Sequence, residues 1–486
     1  MPVNTIHPDY EMNKPKWQRI RDVLAGSDEV KSRGQQYLPK PSGHSDDDYS
    51  GYVMRTEFYP ATQRTVDGLS GAVFRRDPRV VVPDGNEDML ESITTKGTDF
   101  STFAKSVVRE VISIGRYGVL VDVRDGENAP FVAGYNAESI LNWRVGYIGR
   151  SPVLTLVVLQ EMQQIVKPDD PFAHDTVVQY RVLSLRLLDD AENFKADNGK
   201  LVYVQSIYQE QKNESGKDSI VLINEIVPRK RGEFIDRIPF SFFGAMSLDP
   251  IIQKSPILDL VDTNLSHYRT SAELEEGAYF TGLPMYVISG RGLGEEDAGE
   301  FSVGSRTALR LEENGNATVL TVSGDDMGLL KDIMAAKEQR MAVLGARLLE
   351  DQKAGVEAAA TMAMRHRGEN SLLSSMSDTV SRGLKGVLVI MLEWSGVENP
   401  EVEVELNRDF TSLQLTGAEL VQLTSSYQAG AIGPEVFFKA LKDGERIPDG
   451  WTVDDWLADI EEGAVAFERG LTNEGADVID FEQGSA

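Results

Sequence analysis

The stretch DDMGLLKDIMAAKEQRMAVLGARLLEDQKAGVEAAATMAMRHRGENSLLSSMSDTVSRGLKGVLVIMLEW, residues 325–394, decides how this chain folds. It is helix-forming throughout and contains no proline. Leu330, Met334, Met341, Leu344 and Leu348 recur at helical spacing in its first half, and Met376, Val380, Leu384, Val387 and Met391 do so in its second. Between them lies the polar segment Glu350-Asp351-Gln352-Lys353-Ala354-Gly355. It ends in a glycine, which tolerates left-handed backbone, so the chain is expected to turn there between two rods. At about 1.5 Å per residue the second rod, Val356–Ser395, would span roughly 60 Å. A helix of that length needs neighbours throughout, and one chain of 486 residues offers few. Sister copies of the chain are therefore expected to supply them.

Upstream of the rods the periodicity changes several times. Trp17, Ile20, Val23 and Leu24 mark short amphipathic helices that Tyr37-Leu38-Pro39 stops. Thr62, Val66, Leu69 and Val73 keep a helical period within 49–74, and 77–83 reads as a short strand between prolines. Phe100–Ile114 is helical and is expected to turn through Gly115-Arg116-Tyr117-Gly118 into the strand Val119–Val123. From Ser139 to Phe243 short β-rich runs alternate with Pro, Gly, Asn and Asp clusters, as in antiparallel sheet. Arg229-Lys230-Arg231 is expected to be a solvated turn. Ser255 and Pro256 then open a helix with Ile257, Val261, Leu265, Tyr268 and Ala272 on one face. A small β insert follows, with strands near 283–288, 307–311 and 317–321. Beyond Gly396 come a strand at 402–406, helices at 416–426 and 434–442, and a helix capped by Thr452. The last residues form an acidic, glycine-rich tail.

Composition narrows the function. The chain has 77 acidic against 49 basic residues, a formal net charge of −28, and no cysteine. Nucleic-acid grip comes from lysine and arginine releasing counterions, so this is no ordinary DNA binder. Disulfides, thiolate metal sites and cysteine nucleophiles are excluded. No signal peptide or membrane span is expected. The five histidines are scattered, and there is no HExxH, G-x-S-x-G or P-loop motif. Gly290-Arg291-Gly292-Leu293-Gly294 has the wrong spacing for a dinucleotide fingerprint. Asp46-Asp47-Asp48 reads as a solvated loop tip rather than a calcium loop. No cofactor and no catalytic residue are expected. The competing reading is an acidic cytosolic hydrolase with a metal held by distant carboxylates.

Some local wording resembles a known family. The segments Trp17–Gly26, Tyr37–Pro39, Thr65–Pro78 (TVDGLSGAVFRRDP), Ser255–Glu275 (SPILDLVDTNLSHYRTSAELE) and Thr281–Pro284 are similar to those of tailed-bacteriophage portal proteins. More specifically, the chain looks like the portal-like family long filed as a domain of unknown function. The resemblance implies an α+β portal-type fold: an N-terminal wing over 1–250, a first stem helix over 255–282, and a clip over 283–322. A second stem helix follows over 324–349, a tunnel loop over 350–355, a long wing helix and strand over 356–415, a helical crown over 416–470 and a mobile tail over 471–486. It further implies a homo-oligomeric ring, usually of twelve copies, at the capsid vertex of the virion, assembled in the host cytoplasm. Double-stranded DNA would pass through it without sequence specificity during packaging and ejection. The terminase large subunit and neck adaptors would dock on the clip, where Arg291, Leu293, Glu295, Glu296 and Asp297 are the candidate contacts. Capsid and scaffold proteins are further implied partners, and no membrane is. Glu350, Asp351, Gln352, Lys353, Ala354 and Gly355 would line the channel. Lys353 is either a weak contact to passing phosphates or a solvent-facing turn residue.

Overall fold

The computed structural model describes residues 3–123, 129–167, 169–187, 201–212, 218–282, 285–289, 316–320, 325–346, 372–408, 410, 417–443, 446–447 and 451–460. The chain is a mixed α+β protein of two units, Met1–Arg408 and Asp409–Ala486.

In the first unit, helices α1 (Pro8–Ala25) and α2 (Ser27–Ser32) meet at Gly26, whose φ of 98° lies where side chains are strained. Trp17, Ile20 and Val23 are buried, as the apolar period requires. Helices α3 (Asp46–Arg55) and α4 (Ala61–Val73) divide the stretch 49–74 between them; the extended backbone at Thr56 and the proline at 60 separate the two. Asp46-Asp47-Asp48 is not a loop tip. It is the first turn of α3, where Ser45 and Asp48 cap each other reciprocally and Lys40 Nζ donates to Asp46 at 2.7 Å. Strand β1 (Arg79–Val81) and the short helix α5 (Asp88–Glu91) lead to α6 (Phe100–Ile114). Asp99 caps its start and Gly115, at φ 79°, ends it. Strand β2 (Arg116–Val123) begins at once, so the expected four-residue turn is one residue long.

Strands β3 (Pro130–Asn136), β4 (Ile140–Ile148), β5 (Ser151–Lys167), β6 (Asp170–Leu187), β7 (Leu201–Lys212) and β8 (Asp218–Ile226) follow. The last five form one antiparallel meander in the order β4-β5-β6-β7-β8, the sheet expected from the alternating runs. A hairpin, β9 (Arg229–Lys230) with β10 (Glu233–Phe234), precedes β11 (Phe240–Gly244), which joins β2 and β3 in the order β11-β2-β3. Helix α7 (Leu258–Gly282), strands β12 (Met285–Ser289) and β13 (Asn316–Leu320), helix α8 (Asp325–Ala346) and helix α9 (Leu372–Ser395) complete the order before β14 (Glu403–Glu405). β12 and β13 pair with each other, and β14 returns to pair with β1, Val404 against Val80.

The core of this unit lies on α9. Leu373, Met376, Val380, Leu384, Val387, Leu388 and Met391 are all at most 2% exposed. They pack on β11, β2, β3, α6 and β14 of the same chain. A Cβ on Gly383 would come within 2.4 Å of the Phe243 ring, so only glycine lets the helix sit this close to β11. The expectation that both rods take their apolar contacts from sister copies therefore fails for α9. An antiparallel sheet face, a helix and β14 of its own chain already cover it.

In the second unit, helices α10 (Gly417–Gln428) and α11 (Pro434–Asp443) and a helical stretch over 453–460 pack Phe437, Phe438, Leu441 and Trp456 into a small core. Tyr427 stacks on Phe437 with ring centroids 4.4 Å apart. Thr452 and Asp455 cap each other at the third helix, as its sequence indicates.

Candidate functional site

Of the two rods in residues 325–394, α9 lies in the core, whereas α8 pairs with α7. The Ser255 hydroxyl donates to the Ser113 carbonyl at 2.5 Å and accepts from the Ile257 amide at 3.3 Å, which anchors the entry to α7 just ahead of its first residue, Leu258. Ile257, Leu260, Val261, Leu265, Tyr268 and Ala272 are buried, and α7 packs against α1, α3, α4 and α8. Its polar side is tied to the N-terminal helices as well. Arg55 reaches Glu276 at 2.6 Å while its guanidinium lies 3.9 Å over the Tyr279 ring, and Arg269 donates to the Tyr37 carbonyl at 2.9 Å.

Helix α8 runs antiparallel to α7. Met327 lies beside Gly277, whereas Lys337 and Glu338 lie beside Ser266, Thr270 and His267. Lys337 Nζ donates to the Thr270 hydroxyl at 2.6 Å and to the Ser266 carbonyl at 3.0 Å. Desolvation lowers its pKa. His267 Nε2 is 3.2 Å from Glu338.

The side of α8 that faces α7 is narrow: Met341 is buried, and Met327, Leu330, Met334, Lys337 and Leu344 are half-buried. A second apolar row runs beside it. Leu329 is 65% exposed, Ile333 37% and Val343 42%, with exposed Ala336 between them. The steps of four, three and seven residues keep these four on one side of the helix. α9 buries its inner apolar face, whereas α8 keeps this second apolar row exposed. This row is chemically suited to packing against another helix and carries no group for acid, base or nucleophilic work.

The sequence's other candidates fall elsewhere. Glu350, Asp351, Gln352, Lys353, Ala354 and Gly355 lie outside the described residues, as do Arg291, Leu293, Glu295, Glu296 and Asp297. The first half of the expected second rod also lies outside them, and α9 is its described part. Among the described residues, no group of three or more His, Asp or Glu is arranged to hold a metal ion. No helix among them is long and apolar enough to cross a membrane.

One feature contradicts expectation. Arg229-Lys230-Arg231 is not merely solvated. Arg231 and Gly232, both at positive φ, form the tight turn between β9 and β10. This turn presses its cations on the C-terminal end of α9: Lys230 Nζ lies 3.4 Å from Glu393, and Arg231 donates to the Gly396 carbonyl. Arg237 joins at 2.7 Å from Glu393. Cations here complement the negative end of the helix dipole. Arg229 stacks 4.4 Å from the Phe234 ring, an aromatic partner that lies five residues downstream and so is not adjacent in sequence. A cleft of about 560 Å³ opens between the turn and Glu393 to Glu398.

Three comparisons with known proteins bear on this chain. The family model described as "Domain of unknown function (DUF4055)" matches residues 256–395, from the entry of α7 to the end of α9. No curated protein matches the chain. Among solved structures, the chain is similar to a chain of the virion of the native gene transfer agent particle, with 14% identity and a TM-score of 0.36 over 83% of this chain and 95% of that one. It is also similar to a chain in the neck of the empty particle, computed with C6 symmetry, with 14% identity and a TM-score of 0.38 over 85% and 96%. A chain in the neck of the native particle, computed with C12 symmetry, gives 14% and 0.37 over 83% and 94%.

Proposed function

We propose that this chain is the subunit of a phage-type portal, a ring through which duplex DNA enters and leaves a capsid, without catalysis of its own. The observation that carries the reading is the second apolar row on α8, Leu329, Ile333, Ala336 and Val343, left uncovered while every large apolar side chain on the inner face of α9 is buried. In a ring, α7 and α8 form the stem, and this row packs against the stem of the next copy. β12 and β13 belong to the clip at the far end of the antiparallel pair, where Arg291, Leu293, Glu295, Glu296 and Asp297 meet the packaging motor and neck proteins. The segment 350–355 lines the bore. The net charge of −28 suits a conduit: a wall with few cations makes few phosphate contacts that must break as the duplex moves.

The test is native mass with an image of the same sample. Twelve copies of the 53.7 kDa chain give about 0.6 MDa and a particle with a central hole. A species of one to four copies with no hole at micromolar concentration overturns the reading.

A further inference from the structure

Two edge segments of the sheet β4 to β8 carry neither charge nor proline, one on β5 and one on β8. β4 begins opposite Leu159, so among the described residues the outer edge of β5 from Glu161 to Lys167 has no strand beside it. Only β6 pairs with that segment, through Met162 with Val178 and Val166 with His174, and β7 leaves β6 at Gln179. Residues 161–178 therefore form a two-stranded arm, exposed along almost its whole length on both faces. A free-standing two-stranded ribbon is marginal in water. This one exposes Met162 (68%), Ile165 (41%) and Val166 (50%), with Phe172 90% exposed near its tip.

The second such segment is on β8, which pairs with β7 alone. Val221, Leu222 and Ile223 are 41–50% exposed there. Natural edge strands are guarded by charge or proline. Neither 219–224 nor 162–166 contains a charged residue or a proline. Elsewhere the edges carry such guards: β4 holds Arg144, and the outer edge of β6 in the arm holds Asp170, Pro171 and Asp175. His7 donates its amide to the Leu141 carbonyl beside β4, and Tyr203 at the start of β7 donates to the Ile235 carbonyl.

We propose that the arm of one copy adds to the β8 edge of the next, so that the wing sheets of neighbouring subunits are stitched together around the ring. A second copy is the fitting occupant because each chain carries one arm and one edge free of charge and proline, β8, at separate places. Such a contact is heterologous, and its repetition closes a ring when the rotation from copy to copy divides a full turn, as the ring reading requires. The chain cannot satisfy itself this way, since β6 and β7 hold its own β5 and β8 roughly 14 Å apart. The strong twist of a two-stranded ribbon turns the arm out of the plane of its parent sheet, so the two sheets need not be coplanar. Backbone hydrogen bonds supply the pairing, and Phe172 anchors the tip.

This inference rests on the ring reading, and the experiment separates the two. One variant replaces residues 163–177 with Asn-Gly, closing the hairpin between Met162 and Val178 in the native register; among the described residues those removed are largely exposed and pair within the arm, so the melting temperature of the subunit should stay unchanged. A second variant is Val221→Lys. Each should need at least tenfold more protein than wild type to hold the ring in native mass spectrometry, and the combination should be no worse than either alone. Rings of either variant that persist at wild-type concentrations overturn the arm contact and leave the ring reading intact. A wild-type chain that never exceeds a few copies overturns both.

Discussion

The side chain of Asn264 on α7 caps helix α4 across the fold, with Asn264 Oδ1 accepting from the Thr62 amide at 3.2 Å and the Thr62 hydroxyl at 2.8 Å. Its Nδ2 donates to the Tyr59 carbonyl at 2.8 Å. Pro60, at the N-cap position, offers no side-chain oxygen, so a residue two hundred positions away performs the task. Asn264 is fully buried and all three partners lose water on folding. Asn264→Ala should cost about 2–3 kcal/mol in urea unfolding, because the Thr62 groups are then buried without partners. Adding Thr62→Val should recover part of that loss. Strict additivity of the two would show that they do not act through each other.

This cap also marks where sequence reading stops. Helix α6 and the five-stranded meander were legible because each has a local period and local terminators, such as Asp99 before α6 and Gly115 after it. The apolar face of α9 was equally legible: Met376, Val380, Leu384, Val387 and Met391 are all buried. What covers that face was not, because it depends on β2, β3 and β11, which lie more than a hundred residues upstream. The same holds for the basic turn at 229–231, whose partners Glu393 and Gly396 are reached only through the fold. Local period identifies an apolar face but carries no information on which surface meets it.

Asp99 gives a pH dependence whose sign follows from its hydrogen bonds. The Thr102 amide donates to its carboxylate at 2.9 Å, and these bonds hold its pKa below the usual value of 3.8. The unfolded carboxyl therefore takes up a proton before the folded one does. The cap contributes fully above the ordinary carboxylate pKa and is lost as pH falls through the lower folded value. Asp99→Ala should cost about 1 kcal/mol at neutral pH. The difference from wild type should shrink below about pH 4. A gap that stays constant down to pH 2 would assign the cost to helix propensity instead.

Arg116 makes the opposite test. Its guanidinium is 2% exposed, 4.2 Å from the Trp143 ring and 4.5 Å from Phe242, with one nitrogen donating to the Pro250 carbonyl at 2.6 Å. Nε and Nη2 have no protein partner, and burial lowers the pKa of the group. A planar cation between two rings is held by its faces, which an ammonium lacks. Arg116→Lys should therefore destabilise more than Arg116→Met, which removes the buried charge and keeps the apolar contact. Equal losses in chemical denaturation would mean that the stacking contributes little.

The two sides of α8 separate folding from assembly. Met341 is buried within the chain, so Met341→Ala should lose about 2–5 kcal/mol of subunit stability. Ile333 is 37% exposed and lies off the side of α8 that packs on α7, so Ile333→Glu should leave unfolding within about 0.5 kcal/mol of wild type. If the outer row packs copy against copy, the same change buries a carboxylate in an apolar contact, a penalty of several kcal/mol repeated at every interface of a closed ring. The variant should then be a folded subunit that does not assemble, read by native mass beside circular dichroism. Rings of wild-type mass from Ile333→Glu would show that the row faces solvent in the assembly too, and its apolar spacing would then have no part in joining copies.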